Sequence, residues 1–251
     1  MTVSLSEGEM CCLLGANGTG KSTLLRTLAA FQPALSGELL LNGTPLSQIP
    51  PRRQSTLVGI VLTDRIRTAG ITVRDMVGMG RNPYTNFWGR LTDEDYRLVD
   101  EAMQEVGITE FAHRQIANLS DGERQKVMIA KALAQGTPTI LLDEPTAFLD
   151  FPSKVEIMLL LSQLAHEKKK SILISTHDLD LALQTADSLW LMGKRDRTAK
   201  EHTESKEEKE EPINFCVGTP RELAANGILP KFFPGKHLQF DAEALRFHIR
   251  L

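Results

Sequence analysis

The sequence predicts an α/β chain with a mostly parallel core sheet, and three observations carry that prediction. Apolar runs of strand length recur at residues 10–14, 57–62, 139–142, 171–175 and 188–192. Segments with apolar residues at helical spacing separate them, and strands alternating with helices imply parallel pairing through helical crossovers. The stretch Gly15-Ala16-Asn17-Gly18-Thr19-Gly20-Lys21-Ser22 fits G-x-x-x-x-G-K-[ST] at every fixed position, between an apolar run and a helical segment.

Residues 2–5 alternate weakly and read as the end of a strand, after which Glu7-Gly8-Glu9 turns the chain into the run 10–14. The helix behind the glycine-rich loop occupies residues 22–31 and ends near Pro33. Residues 37–43 read as a strand closed by a turn at Asn42-Gly43, and Pro50-Pro51 breaks the chain before the strand over 57–62. From residue 72 to 135 helical spacing dominates, with Val73, Met76 and Val77 in one piece and Leu98, Met103 and Val106 in the next. Thr92 is placed to cap a helix whose first turn holds Asp93, Glu94 and Asp95, and residues 81–89 form an aromatic-rich loop before it. The block 72–135 reads as a helical subdomain inserted into a core made of residues 1–71 and 136–193.

Leu119-Ser120-Asp121-Gly122-Glu123 opens a further helix that runs to about Gln135. Pro152 sits where another helix begins, and Lys168-Lys169-Lys170 sets cations at its negative end. Residues 179–186 are helical. Residues 194–211 are nearly all charged with both signs interleaved, a composition expected of a solvated or disordered insertion. Residues 212–251 form a C-terminal extension. It holds a strand over 213–217, a helix opened by Gly218-Thr219-Pro220, and Phe232, Phe233, Phe240 and Phe247 to pack it down.

Composition narrows the function classes. The 251 residues suit one α/β domain, or a domain with a small subdomain, and 41% apolar content is enough for a full core. Lys and Arg number 29 against 32 Asp and Glu, a net charge of −3, which gives no broad electrostatic footprint for nucleic acid. Cys11, Cys12 and Cys216 make no metal or C-x-x-C spacing; Cys11 and Cys12, in the strand before the phosphate loop, are expected to be buried thiols, and a reducing, cytosolic setting follows. No run approaches the roughly 18 apolar residues that span a bilayer, and no signal peptide is visible. Work at a membrane would go through a partner that spans it.

The chemistry concentrates in two places. In the glycine-rich stretch backbone N–H groups can converge on an anion, where the helix N-terminus adds partial positive charge. Lys21 would reach the β- and γ-phosphates, and the Ser22 hydroxyl would ligate Mg²⁺. Asp143 and Glu144 end the apolar run 139–142 and so lie at the C-terminal sheet edge, where open α/β sheets bind ligands. Asp143 is the expected Mg²⁺ partner and Glu144 the expected general base for an attacking water.

With these segments in hand the chain resembles the ATP-binding subunits of ABC transporters. The resemblance rests on five segments in the family's order: the phosphate loop, the signature-like Leu119-Ser120-Asp121-Gly122-Glu123, and the Walker B end Leu141-Leu142-Asp143-Glu144-Pro145-Thr146. The D-loop-like Ala147-Phe148-Leu149-Asp150 and the switch Ser175-Thr176-His177-Asp178 complete it. It implies a phosphate-loop NTPase fold, ATP and Mg²⁺ as ligands, and a head-to-tail homodimer with two ATPs at its interface. It also implies a nucleotide held by Gly15, Ala16, Asn17, Gly18, Thr19, Gly20, Lys21, Ser22 and Thr23 of one copy. Ser120, Asp121, Gly122, Glu123 and Asp150 would complete that site from the other, and His177 would contact the γ-phosphate.

Residues 80–91 and the Gly218-Thr219-Pro220 turn are similar to importers for ferric siderophores, haem and vitamin B12. That similarity implies an integral-membrane permease as direct partner, a substrate-binding protein as indirect partner and a place on the cytoplasmic face of the inner membrane. Residues 65–88 are the expected docking surface. Two other readings fit the same motifs: a soluble ATPase serving a non-transport partner, such as cluster assembly, and a nucleotide-binding module without turnover.

The chain departs from the family's pattern in four places. The signature has Asp121 and Glu123 where Gly and Gln are usual, which brings negative charge towards the partner's phosphates, although Asp121 can cap the helix. The Q-loop glutamine is replaced, with Thr63 or Asp64 expected to reach the Mg²⁺ shell. No aromatic precedes the phosphate loop to stack on adenine, so either the chain is truncated or adenine is held weakly. The charged stretch 194–211 is inserted between two late strands.

Overall fold

The computed structural model describes residues 2–63, 70–193, 215–235 and 237–250. Asp64, Arg65, Ile213 and the charged stretch 194–211 lie outside the described residues. Among the described residues the core is a six-stranded sheet. Its members are β1 (Met10–Leu14), β4 (Val58–Val61), β5 (Thr139–Asp143), β6 (Ser171–Thr176), β7 (Ser188–Met192) and β8 (Phe215–Gly218). Their spatial order is β4-β5-β6-β1-β7-β8, parallel except for β8, which runs antiparallel to β7. β1 lies between β6 and β7 with all five residues buried, which is why its sequence is an unbroken apolar run rather than an alternation. Cys11 and Cys12 are fully buried there, and burial pushes the Cys11 thiol up to about 12.

The sheet registers bring three strand ends to one edge. Leu14 pairs with Thr176 and Asp143 with Ser175, so the loops after β1, β5 and β6 emerge together. The loop after β1 leads into α1 (Lys21–Leu28). The segment read as one strand over 37–43 is instead a two-residue-per-arm hairpin, β2 (Leu40–Leu41) and β3 (Thr44–Pro45). Asn42 and Gly43 both have positive φ, 49° and 77°, as that tight turn requires, so the Asn-Gly signal marked the hairpin's centre rather than a strand's end. A short helix, α2 (Pro51–Gln54), starts at Pro51 before β4. Residues 2–5 form no strand.

Helices fill the chain between β4 and β5: α3 (Val73–Gly78), α4 (Asp93–Glu105) and α5 (Asp121–Ala134). Val73, Met76, Val77, Val99, Met103 and Val127 bury their faces in the main core cluster. The aromatic-rich loop begins as a 3-10 turn, Met79–Tyr84, and has a packing reason to be regular. Gly80 passes so close to α5 that an added Cβ would lie 2.2 Å from the Lys131 carbonyl oxygen. Arg81, 8% exposed, donates to the Ala134 carbonyl at 2.8 Å and to Asp95 at 2.8 Å, while Tyr84 donates to the Gln135 carbonyl at 2.9 Å. The loop therefore satisfies the orphan carbonyls at the end of α5.

After β5 comes α6 (Phe151–Lys168), with Pro152 in its first turn and Lys169 in the left-handed conformation at its end. α7 (Leu179–Thr185) joins β6 to β7. Beyond β8 lie α8 (Pro220–Ala225), α9 (Ile228–Phe232) and the hairpin β9 (Leu238–Asp241) and β10 (Arg246–Ile249). Phe232, Phe233, Phe240 and Phe247 meet ring to ring there. No described helix is long and apolar enough to cross a membrane.

Candidate active site

The phosphate loop leaves β1 at Gly15, where an added Cβ would sit 2.3 Å from the Met192 carbonyl oxygen, so no other residue fits without moving β7. Gly18 and Gly20 have φ of 78° and 102°, a region that glycine enters without strain. Thr19 folds the loop back through N–H and hydroxyl bonds to the Ala16 carbonyl. Lys21 is only 6% exposed, and its ammonium donates to the carbonyl of Gly15 at 2.8 Å and of Ala16 at 3.4 Å. Its charge is thus fixed under the loop it would share with an anion.

α1 begins after Gly20 with no side-chain cap and no acid in its first turn. By contrast α3, α4, α5 and α8 each carry a complete capping box, and Asp150 caps α6. The N-terminal donors of α1 are left to an anion from outside the helix. A Cβ at Gly18 would meet nothing within 4 Å, so the loop opens outward there. These features fit the triphosphate of ATP.

The carboxylates stand beside this loop. The Ser22 hydroxyl donates to Asp143 Oδ1 at 3.1 Å, and Asp143 is 6% exposed. A hydroxyl and one carboxylate are hard oxygen donors, the set that Mg²⁺ takes together with water and phosphate oxygens, so the residues fit that ion. Among the described residues no group of three or more His, Cys, Asp or Glu could hold a metal. Thr63 donates its hydroxyl to the Asp143 backbone carbonyl at 2.7 Å, so it braces the strand end.

Glu144 adopts a left-handed φ of 49°, which turns its side chain away from the line of β5. Sparsely populated conformations of this kind gather at functional sites when neighbours hold them. Here the Glu144 N–H donates to both the carbonyl and the hydroxyl of Ser175, each at 3.0 Å. Ser175, fully buried, in turn donates its hydroxyl to Asp143 Oδ1 at 2.6 Å. His177 Nδ1 lies 3.2 Å from Glu144 Oε1. Ser175 is the functional position that the sequence reading named only as part of the switch. Its signal was a hydroxyl at the end of an otherwise apolar strand.

The signature segment sits at the start of α5. Ser120, not Asp121, is the N-cap: its hydroxyl accepts from the Glu123 N–H at 3.2 Å and donates to the Glu123 carboxylate at 2.8 Å, while its N–H donates to the same carboxylate at 2.7 Å. The Ser120 N–H and hydroxyl hold the Glu123 carboxyl below its usual pKa. Asp121 is the first helical residue, and its carboxylate pairs with Arg124 at 2.9 Å. Asp150 accepts from the Ser153 N–H, and the Ser153 side chain and N–H together hold its carboxyl below the usual value. Thr63, Glu144, Asp121 and Arg124 border one cleft between α5 and the core.

The ABC transporter family matches residues 1–147. An uncharacterized ABC transporter ATP-binding protein of Methanocaldococcus jannaschii is 41% identical over 192 residues, 76% of this chain and 66% of that protein. The iron(3+)-hydroxamate import ATP-binding protein FhuC of Bacillus subtilis is 40% identical over 182 residues, 72% of this chain and 68% of FhuC. The achromobactin transport ATP-binding protein CbrD of Dickeya dadantii is 36% identical over 233 residues, 93% of this chain and 80% of CbrD. The first two matches thus span about two thirds of those relatives' length. Among solved structures, a dimeric bacterial ABC transporter cassette covers 76% of this chain and 84% of its own, with a TM-score of 0.65 at 25% identity.

Proposed function

This chain belongs to the ABC transporter family, and from that premise we propose that it hydrolyses ATP to power import of an iron chelate, haem or a cobalamin-type substrate through a membrane permease. The observation that carries the hydrolytic part is the bonded set Ser22, Asp143, Ser175, Glu144 and His177 beside an uncapped α1 N-terminus. The names of FhuC and CbrD support the cargo class.

In this mechanism the phosphate loop and the α1 N–H groups bind the phosphates, with Lys21 adding positive charge where charge develops on the γ-phosphoryl oxygens. Ser22 and Asp143 would hold Mg²⁺, which would neutralise phosphate charge. Glu144 accepts a proton from the attacking water, and His177 keeps that water and the γ-phosphate in line. Two copies pack head to tail, so that Ser120 and Gly122 of one complete the site of the other. The family likeness and the dimeric cassette support that arrangement. Phe87 and Trp88, 94% and 79% exposed and packed edge to face, extend from the loop that holds α5 and form the proposed permease contact.

Two experiments test the proposal. Steady-state hydrolysis by the full chain, abolished in Glu144→Gln with ATP binding retained, supports the enzyme reading; binding without turnover in the unsubstituted chain overturns it. Capture from detergent-solubilised membranes brings down a polytopic membrane protein if the chain powers transport. A soluble protein or nucleic acid in its place removes the transport reading.

A further inference from the structure

His177 is half exposed, and the contact that aligns it is the 3.2 Å approach to Glu144. Its position is set by the residues on either side. Ser175 is locked to Asp143 and Glu144. Asp178 stands at the N-cap position of α7, where an aspartate ordinarily accepts from the first helical N–H groups. It makes no such bond. Its carboxylate turns instead to the Thr146 hydroxyl at 3.2 Å and to the Lys154 ammonium, which lies 3.1 Å from Oδ1 and 3.0 Å from Oδ2.

Lys154, too, serves something other than its own helix. It sits in the first turn of α6, where the helix end carries partial positive charge and a cation is disfavoured. Two residues thus break the rule of their own helix, and each departure is explained by the same ion pair. Local rules are broken in this way mainly where a site needs it. The pair joins the chain two residues beyond Glu144, through buried Thr146, to the residue after His177. Both ends of the Glu144–His177 contact are braced from outside the nucleotide.

We propose that Lys154 is a positioning residue of the hydrolytic site, fixing His177 against Glu144 through Asp178. The inference rests on the ATPase reading. The pair is partly solvated, with side chains 24% and 27% exposed, so its removal changes stability little.

The test compares Lys154→Met, Lys154→Arg and Glu144→Gln with the unsubstituted full chain. Lys154→Met lowers kcat about tenfold or more, because a small misplacement near the reacting groups costs that much. Its KM for ATP stays within about twofold, since the phosphate loop is untouched. Lys154→Arg restores most of the rate, as a guanidinium can make the same bond to the carboxylate. In the nucleotide-free protein the His177 ring resonance, assigned by its loss in His177→Gln, shifts or broadens in Lys154→Met and returns in Lys154→Arg. An unchanged kcat in Lys154→Met overturns the proposal, as does a loss that Lys154→Arg fails to recover with the His177 resonance unmoved. If the unsubstituted chain does not hydrolyse ATP, the ATPase reading fails separately, and the resonance still decides whether Lys154 positions His177.

Discussion

On the proposed mechanism two helix N-termini meet phosphate, and they are built in opposite ways. α1 starts uncapped, with no acid in its first turn. α5 starts with a closed capping box and with Asp121 and Glu123 in its first turn. Carboxylates at a helix N-terminus stabilise the helix but compete with any external anion for the same donors and the same dipole. The end of α1 is therefore ready for phosphate in a single copy. The end of α5 is satisfied within its own chain, and Ser120 must leave Glu123 before its hydroxyl can turn elsewhere. On the proposed mechanism binding and closure would be separable, because α1 has no cap to displace whereas Ser120 must first leave Glu123.

Substitutions at the two ends break or sharpen this contrast. The largest effect is expected at the open end: Lys21→Ala reduces ATP hydrolysis by about a hundredfold or more while the far-ultraviolet circular dichroism stays native. At the far end of α5, Arg81→Ala removes one partner of a buried ion pair with Asp95 and leaves the Ala134 carbonyl without its donor. A loss of about 3–5 kcal/mol in urea unfolding is expected. That pair also has a pH signature. The Thr92 N–H and hydroxyl, with Arg81 adding, hold the Asp95 carboxyl down to about 2. Because its pKa is depressed on folding, its contribution is complete above the unfolded value of about 4 and is lost as pH falls through about 2. Unfolding measured between these values should steepen towards acid in the unsubstituted chain, and less so in Asp95→Asn.

Smaller effects belong to the cap itself. Ser120→Ala costs about 1 kcal/mol of stability through the lost cap, read from the urea midpoint. Glu123→Gln keeps a side chain able to accept from Ser120 but removes one negative charge, so dimerisation driven by Mg–ATP should tighten only a few-fold, about 0.3–1 kcal/mol. A weaker dimer in Glu123→Gln would show that the carboxylate assists closure.

Much of the site could be read from the sequence because its pieces are local. The glycines of the loop, the carboxylates after an apolar strand and the Thr92 cap each follow from a few adjacent residues. The contacts that align them join distant parts of the chain and left only weak marks. Ser175 reaches Asp143 across a strand pair, Thr63 reaches the Asp143 carbonyl, and Arg81 reaches the end of α5. The capping box at Ser120 was legible in Ser-x-x-Glu spacing, yet the signature-like reading drew attention to Asp121 in its place. The short hairpin at Asn42-Gly43 was hidden because two-residue arms show no alternation.

The central claim is that the open end of α1 in one copy and the capped end of α5 in another meet on ATP. Sedimentation of Glu144→Gln with and without Mg–ATP tests it most directly. A monomer is expected without nucleotide, a dimer with it, and an ATP-bound monomer when Ser120→Arg is added. A chain that binds ATP yet stays monomeric at every concentration, or that dimerises equally well with Ser120→Arg, would contradict it.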